Sequence, residues 1–200
     1  DNPGFLNLFL LFAMLEVLVA PLFILLPVYA TDVLALDNGW YGYFMGTLTA
    51  GMLLGNALSI FLRFSAGSTG NVVIFFLFLY GFSFAVLGFV SSVALILLDL
   101  LVVGACVGFI TVILISSIQR NTLNHIRGRV VGCLNTVAMA FGGISIGVSG
   151  IMADLLSNNI RVIFYIFGVL ALAMPFVFFN SRGFLLLNKS GSSFPSTFGG

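Results

Sequence analysis

The chain has 200 residues, 60% of them hydrophobic and only 6% charged, with a mean hydropathy of +1.22 and a net charge of +1. A soluble domain covers itself with about a quarter charged residues, so this composition excludes water as the solvent for most of the surface and puts lipid in its place. Seven basic and six acidic residues form no basic block, which argues against a nucleic-acid partner.

Six apolar runs follow one another along the chain. The first spans Phe5 to Ala30 and carries Glu16 near its middle, with Pro21 and Pro27 beyond it. The polar stretch from Thr31 to Gly39 follows, and Trp40, Tyr41 and Tyr43 then stand where interfacial aromatics belong. The second run covers about 41–62 and ends at the turn-rich loop from Arg63 to Asn71. The third, about 72–90, is parted from the fourth, about 93–117, by Ser91 and Ser92, a connection short enough to imply a helical hairpin. The polar segment Gln119 to Arg129 leads to the Gly-rich fifth run, about 130–156, and the sixth covers about 162–179. Runs of about 18–26 residues fit a hydrocarbon core about 30 Å thick. They do not alternate as barrel strands do. The expected fold is therefore an all-α membrane protein with one six-helix transmembrane domain over 1–180 and a mobile cytoplasmic tail over 181–200. The chain opens on Asp1, and its first run has no basic flank and is too long for a signal-peptide core. The expectation is a piece of a longer chain, a natural half-length protein or a processed product.

Orientation follows from the cations. Arg63, Arg120, Arg127, Arg129, Arg182 and Lys189 all fall on one side if six helices alternate, against Arg161 alone on the other. Both termini are expected in the cytoplasm, with the chain integral to the plasma membrane.

Glycines recur four apart. Gly42 and Gly46, then Gly51 and Gly55, lie in the second run, Gly104 and Gly108 in the fourth, and Gly143 and Gly147 in the fifth. Such pairs bare a strip of backbone where a neighbouring helix packs closely. Plain packing accounts for most of them, and the functional reading adds smooth faces along which helices slide or rock. Cys106 and Cys133 lack C-x-x-C spacing and nearby His, so they read as small packing residues. No metal and no cofactor is expected.

Two acids sit inside apolar runs. Glu16 falls near the midplane and Asp99 nearer the non-cytoplasmic surface, each at a cost of at least ~2.5 kcal/mol on insertion scales. An acid in that place is paired, protonated or facing water, and no Lys or Arg lies inside a run to pair with it. A substrate or proton site is one reading, and a protonated carboxyl bridging two helices is the other. Asn56, Asn135, Thr47, Thr49, Thr111 and Thr136 either line a path or bridge helices.

Gly147-Val148-Ser149-Gly150 spells G-x-S-G and resembles the nucleophile motif of six-helix intramembrane serine proteases of the rhomboid type. That chemistry needs a histidine base within reach of the serine. The sole His, His125, precedes the serine and lies in a polar loop, so no catalytic residue is assigned and the chain is not expected to be an enzyme.

The loop Gln119-Arg120-Asn121-Thr122-Leu123-Asn124-His125-Ile126-Arg127-Gly128-Arg129-Val130 resembles the "Q-R-x-x-P-x-x-x-R-G-R-V" pattern between helices ten and eleven of the major facilitator superfamily, with Leu123 in place of the proline. Gly150-Ile151-Met152-Ala153-Asp154 looks like the "G-x-x-A-D" end of that family's eleventh helix. Leu26 to Leu34, followed by Tyr41-Gly42, looks like its seventh-to-eighth connection. The resemblance covers about residues 1–180, and its closest branch is the macrolide-efflux and enterobactin-exporter type. It implies the C-terminal six-helix half of a transporter that works by alternating access, most simply a proton-coupled exporter of a drug- or siderophore-like small molecule. Its expected partners are that substrate, protons, membrane lipid and an N-terminal six-helix half, either upstream in the same chain or a second copy. The resemblance makes Glu16 the cavity-facing acid and Arg63, Arg120, Arg127 and Arg129 cytoplasmic gating or topology residues. A non-transporting scaffold or assembly subunit, which would use its glycine faces to bind other helices, is the alternative.

Overall fold

A computed structural model describes residues 3–37, 39–62, 68–156 and 159–179. Arg63 and the expected tail over 181–200 lie outside the described residues. Six helices make up the fold: α1 Pro3–Val28, α2 Trp40–Phe61, α3 Thr69–Phe89, α4 Val93–Arg120, α5 Arg127–Leu155 and α6 Ile160–Phe179. Among the described residues there is no strand. The shortest helix, α6, has 20 residues, and 20 residues rise about 30 Å, the thickness of the hydrocarbon core. All six are long and apolar enough to cross a membrane. α4 and α5 wind beyond their apolar runs, to Arg120 and from Arg127, because a helix that has left the lipid continues until its capping and turn residues stop it.

The helices pack as pairs. α2 lies on α4, α3 on α6 and more lightly on α4, and α1 on α5. α1 is the most deeply buried of the six, while α2 and α5 are the least covered. The α2–α4 seam is built from glycine on both sides. A Cβ at Gly51 or Gly55 would run into the backbone carbonyls of Leu101 or Ala105. One at Gly104 or Gly108 would run into those of Leu48 or Met52. The two backbones therefore interlock at a separation that only bare Cα atoms allow.

Prolines shape α1. A proline inside a helix offers no N–H to the carbonyl four residues back. Pro21 thus frees the Val17 carbonyl, and Ser145 of α5 donates its hydroxyl to it. Pro27 frees the Phe23 carbonyl in the same way, and just beyond it the helix widens into a π-helical turn, Tyr29–Val33.

The α1–α2, α3–α4 and α5–α6 connections mark one end of the bundle, called distal below; the other end is proximal. At the distal end the last carbonyls of α3 have no intrahelical donor. Tyr29, in the π-helical turn that follows α1, reaches the Leu87 carbonyl and that of Val90 just past the helix with its hydroxyl, at 2.9 and 2.5 Å. Tyr165 from α6 donates to that of Gly88 at 2.9 Å, and Arg161 donates to Ser91 Oγ at 2.8 Å. Two tyrosines thereby fasten two helices, α1 and α6, to the terminus of a third.

Candidate functional site

The least covered helix with the most polar composition is α5, and its surface divides into three strips. Leu134, Ser145, Ser149 and Ala153 are buried against the bundle. Phe141, Ile144, Val148, Ile151 and Leu155 are exposed and apolar, as lipid requires. A third strip, Gly128, Gly132, Asn135, Thr136, Gly143 and Gly147, is also exposed and carries small or polar side chains, with Met139 the one large apolar residue among them. At the 100° step of an α-helix the two exposed sets fall on separate faces, and Asn135 shares its direction with Ala153 at the edge of the buried one. A face of bare glycines and an amide suits water or close protein contact, and lipid would leave it poorly covered.

α2 carries a matching strip. Gly42, Gly46, Thr49 and Ala50 are exposed. Nothing lies within 4 Å of a Cβ built at Gly42, Gly46, Gly143 or Gly147. Among the described residues those four glycines therefore meet no packing partner, unlike Gly51, Gly55, Gly104 and Gly108. The hydroxyls of Thr47, Thr49 and Thr136 each donate to the carbonyl four residues back, at 2.8, 2.8 and 3.0 Å. They lend these faces polarity without an unmade bond.

The remaining candidates are placed as follows. Glu16 is half-buried on α1, one residue from the freed Val17 carbonyl. Asp99 is half-buried on α4, and Ser83 of α3 hydrogen-bonds its carboxyl. Asn56 turns inward, its Oδ1 against Gly108 in the α2–α4 seam, whereas Asn135 is exposed on α5. Thr111 is half-buried on α4. Arg120, Arg127 and Arg129 are all exposed at the proximal end. Cys106 is buried and Cys133 exposed. No group of His, Cys, Asp and Glu that could hold a metal occurs among the described residues.

Ser149 donates to the Ile146 carbonyl of its own helix at 2.8 Å and is fully buried. His125 is exposed just before the opposite end of α5. Some 22 residues of helix at about 1.5 Å each separate the two ends, far beyond the reach of a hydrogen bond.

Sequence reasoning passed over three residues. Tyr80 is fully buried on α3. It lies near enough to Cys106 and Glu16 to interact with both electrostatically, and Cys106 in turn lies near Asp99. Ser83 follows Tyr80 by three residues, which puts both on one face of α3. Ser145 is the third. The signal for the first two was present: they are the polar side chains within an otherwise apolar stretch of α3, spaced by one helical turn.

An apolar groove of about 280 Å³ runs between α1, α5 and α6, lined by Leu10, Met14, Val17, Phe141, Leu170 and Met174 among others. A family model described as transmembrane secretion effector, of the major facilitator type, matches residues 7–185. No curated protein matches the chain.

Proposed function

The chain belongs to the transmembrane secretion effector family of major facilitator transporters, and on that premise we propose that it forms one six-helix half of a proton-coupled exporter of small molecules. It is an integral membrane protein of a transporter family. The finer reading is alternating access: the small and polar strips of α2 and α5 face a second six-helix half, and the path runs between them. That half is either a further segment of the same chain or a second copy. The membrane is the plasma membrane, with the proximal end and both termini in the cytoplasm. The substrate is small and drug- or siderophore-like, as in the macrolide and enterobactin exporters that the loop sequence resembles. Glu16 is the cavity acid, and Arg120, Arg127 and Arg129 act at the cytoplasmic mouth as the halves close.

The observation that carries this reading is the third strip of α5. One exposed face is apolar throughout, and another, on the same helix, is small and polar apart from Met139. A helix surrounded by lipid on both would have no use for the difference.

The test is chemical labelling in membranes. In a Cys133→Ser background, Asn135→Cys and Gly143→Cys are expected to react with a charged, water-borne thiol reagent, and Ile144→Cys and Ile151→Cys to resist it. Equal reactivity on the two faces overturns the reading.

A further inference from the structure

Tyr80 Oη and Asp99 Oδ2 are buried and have no hydrogen-bond partner among the described residues. An unmade bond at that depth is costly, and low local polarity raises the cost. The two atoms belong to one connected set. Ser83 holds the Asp99 carboxyl. Cys106 lies two turns from Asp99 on the same face of α4 and near it, and Tyr80 lies near both Cys106 and Glu16. α3 and α4 pack together, and α1 touches α4. Depth orders the set. Glu16 and Tyr80 each stand midway along their helices, and Asp99 lies in the second turn of α4, toward the distal end.

We propose that Glu16, Tyr80 and Asp99 form a proton path inside the six-helix bundle, leading from the middle of the membrane across α3 to the Asp99–Ser83 pair, with the Tyr80 hydroxyl as its bridging group. Its use in coupling rests on the transport reading above, whereas the path itself does not.

The chemistry balances. Glu16 gives up a proton through bridging water to the Tyr80 oxygen as that oxygen releases its own proton, again through water, toward Asp99 Oδ2. One O–H bond forms on Tyr80 and one breaks, so the phenol is unchanged once its C–O bond has rotated. Glu16 becomes the carboxylate and Asp99 the acid. Ser83 holds the receiving carboxyl in place, so it is a positioning residue.

The surrounding groups leave the path its own charge. α1 contributes Glu16, α3 Tyr80 and Ser83, and α4 Asp99 and Cys106. α2 contributes the neutral Asn56 amide at Gly108, and α6 contributes Tyr165, committed to the Gly88 carbonyl at the distal end. No Lys, Arg or His lies in the middle of any span.

The experiment follows hydrogen–deuterium exchange by infrared spectroscopy on the full chain in lipid vesicles, with D2O as the probe. The Asp99 carboxyl band is identified by its loss in Asp99→Asn. Tyr80→Phe, which removes a single oxygen, is expected to slow the deuterium shift of that band several-fold. Ser83→Ala is expected to move the band and leave its exchange rate near wild type. Wild-type exchange in Tyr80→Phe overturns the path, as does a wild-type spectrum that loses no band in Asp99→Asn. Should Tyr80→Phe fail to keep its helicity, Glu16→Gln takes its place with the same expectation and the same overturning result. Substrate flux measured in parallel separates the two readings: a chain without flux that exchanges through Tyr80 refutes the transport reading alone.

Discussion

Ser145 on α5 donates its hydroxyl to the Val17 carbonyl on α1, the carbonyl that Pro21 leaves without an intrahelical donor. The residues are 128 positions apart, and the bond ties the least covered long helix to the most buried one beside Glu16. Gly142 presents the same side of α5 to α1, where an added Cβ would meet the Ala20 methyl at 3.7 Å. A helix defect and a hydroxyl thus complete each other in a medium that supplies no water to either.

That relationship predicts a coupled pair of substitutions. Ser145→Ala is expected to cost about 1 kcal/mol, nearer the measured range for interhelical bonds in lipid than the larger cost of a buried orphan in water-soluble proteins. Pro21→Ala gives residue 21 an N–H for the Val17 carbonyl, so Ser145→Ala should cost much less in that background. Unfolding in mixed micelles of the two single variants and the double variant measures the coupling. Equal costs in both backgrounds would remove the Pro21–Ser145 link.

Glycines with the same spelling should behave in opposite ways. Gly55→Ala and Gly104→Ala drive a methyl into a facing carbonyl, and about 1–3 kcal/mol of destabilisation is expected from such overpacking. Gly143→Ala and Gly147→Ala meet nothing within 4 Å, and their effect on stability should stay within about 0.5 kcal/mol. If the second pair packs on another six-helix half, its cost appears as lost association or lost flux instead. Paired stability and flux measurements read both. Destabilisation of the isolated chain by Gly143→Ala would contradict the open face.

This contrast shows what was legible in the sequence. The G-x-x-x-G pattern says that a strip of backbone is bare, and it carries no information on what lies opposite. Gly51 and Gly55 found α4, whereas Gly42 and Gly46 on the same helix found nothing among the described residues. Hydropathy placed the six helices, because lipid imposes length and composition on each span separately. It could not place Gly81, Gly88 and Gly168. Gly88 accommodates the Tyr165 ring, and Gly81 and Gly168 meet backbone of the facing helix in the α3–α6 seam. Those contacts are set by pairing across the bundle. The freed carbonyl at Val17 could be read from Pro21 alone, but its donor depends on which helix lies beside α1. Tyr80 was hidden for a related reason: a tyrosine among phenylalanines resembles them until its hydroxyl is seen to be buried.

Topology can be tested at half-buried Ser68 and exposed Asp37. In a Cys133→Ser background, with Cys106 buried, Ser68→Cys should be labelled from the cytoplasm. Asp37→Cys, at the distal end, should be labelled from outside. Impermeant reagent applied to intact cells and to inverted vesicles separates the two. The reverse pattern would refute the orientation drawn from the six cations on one side, since short loops obey that bias more closely than any other sequence signal.

Glu16 decides between a carrier and a scaffold. Glu16→Gln keeps the length, the burial and most of the hydrogen-bonding capacity of the side chain, and removes only its ability to release a proton. A scaffold that binds other helices through glycine faces has no use for that ability and should be unaffected. A carrier that couples export to proton entry should lose flux driven by a pH gradient while keeping exchange of substrate across the membrane without one, because exchange needs the site but no net proton movement. Asp154→Asn is the control: that acid is exposed at the distal end of α5, and its loss should leave both kinds of flux near wild type. Reconstituted vesicles with an imposed gradient make the measurement. Gradient-driven flux that survives Glu16→Gln would remove Glu16 from the coupling step. If it is then abolished by Asp99→Asn, coupling resides in the buried pair on α3 and α4.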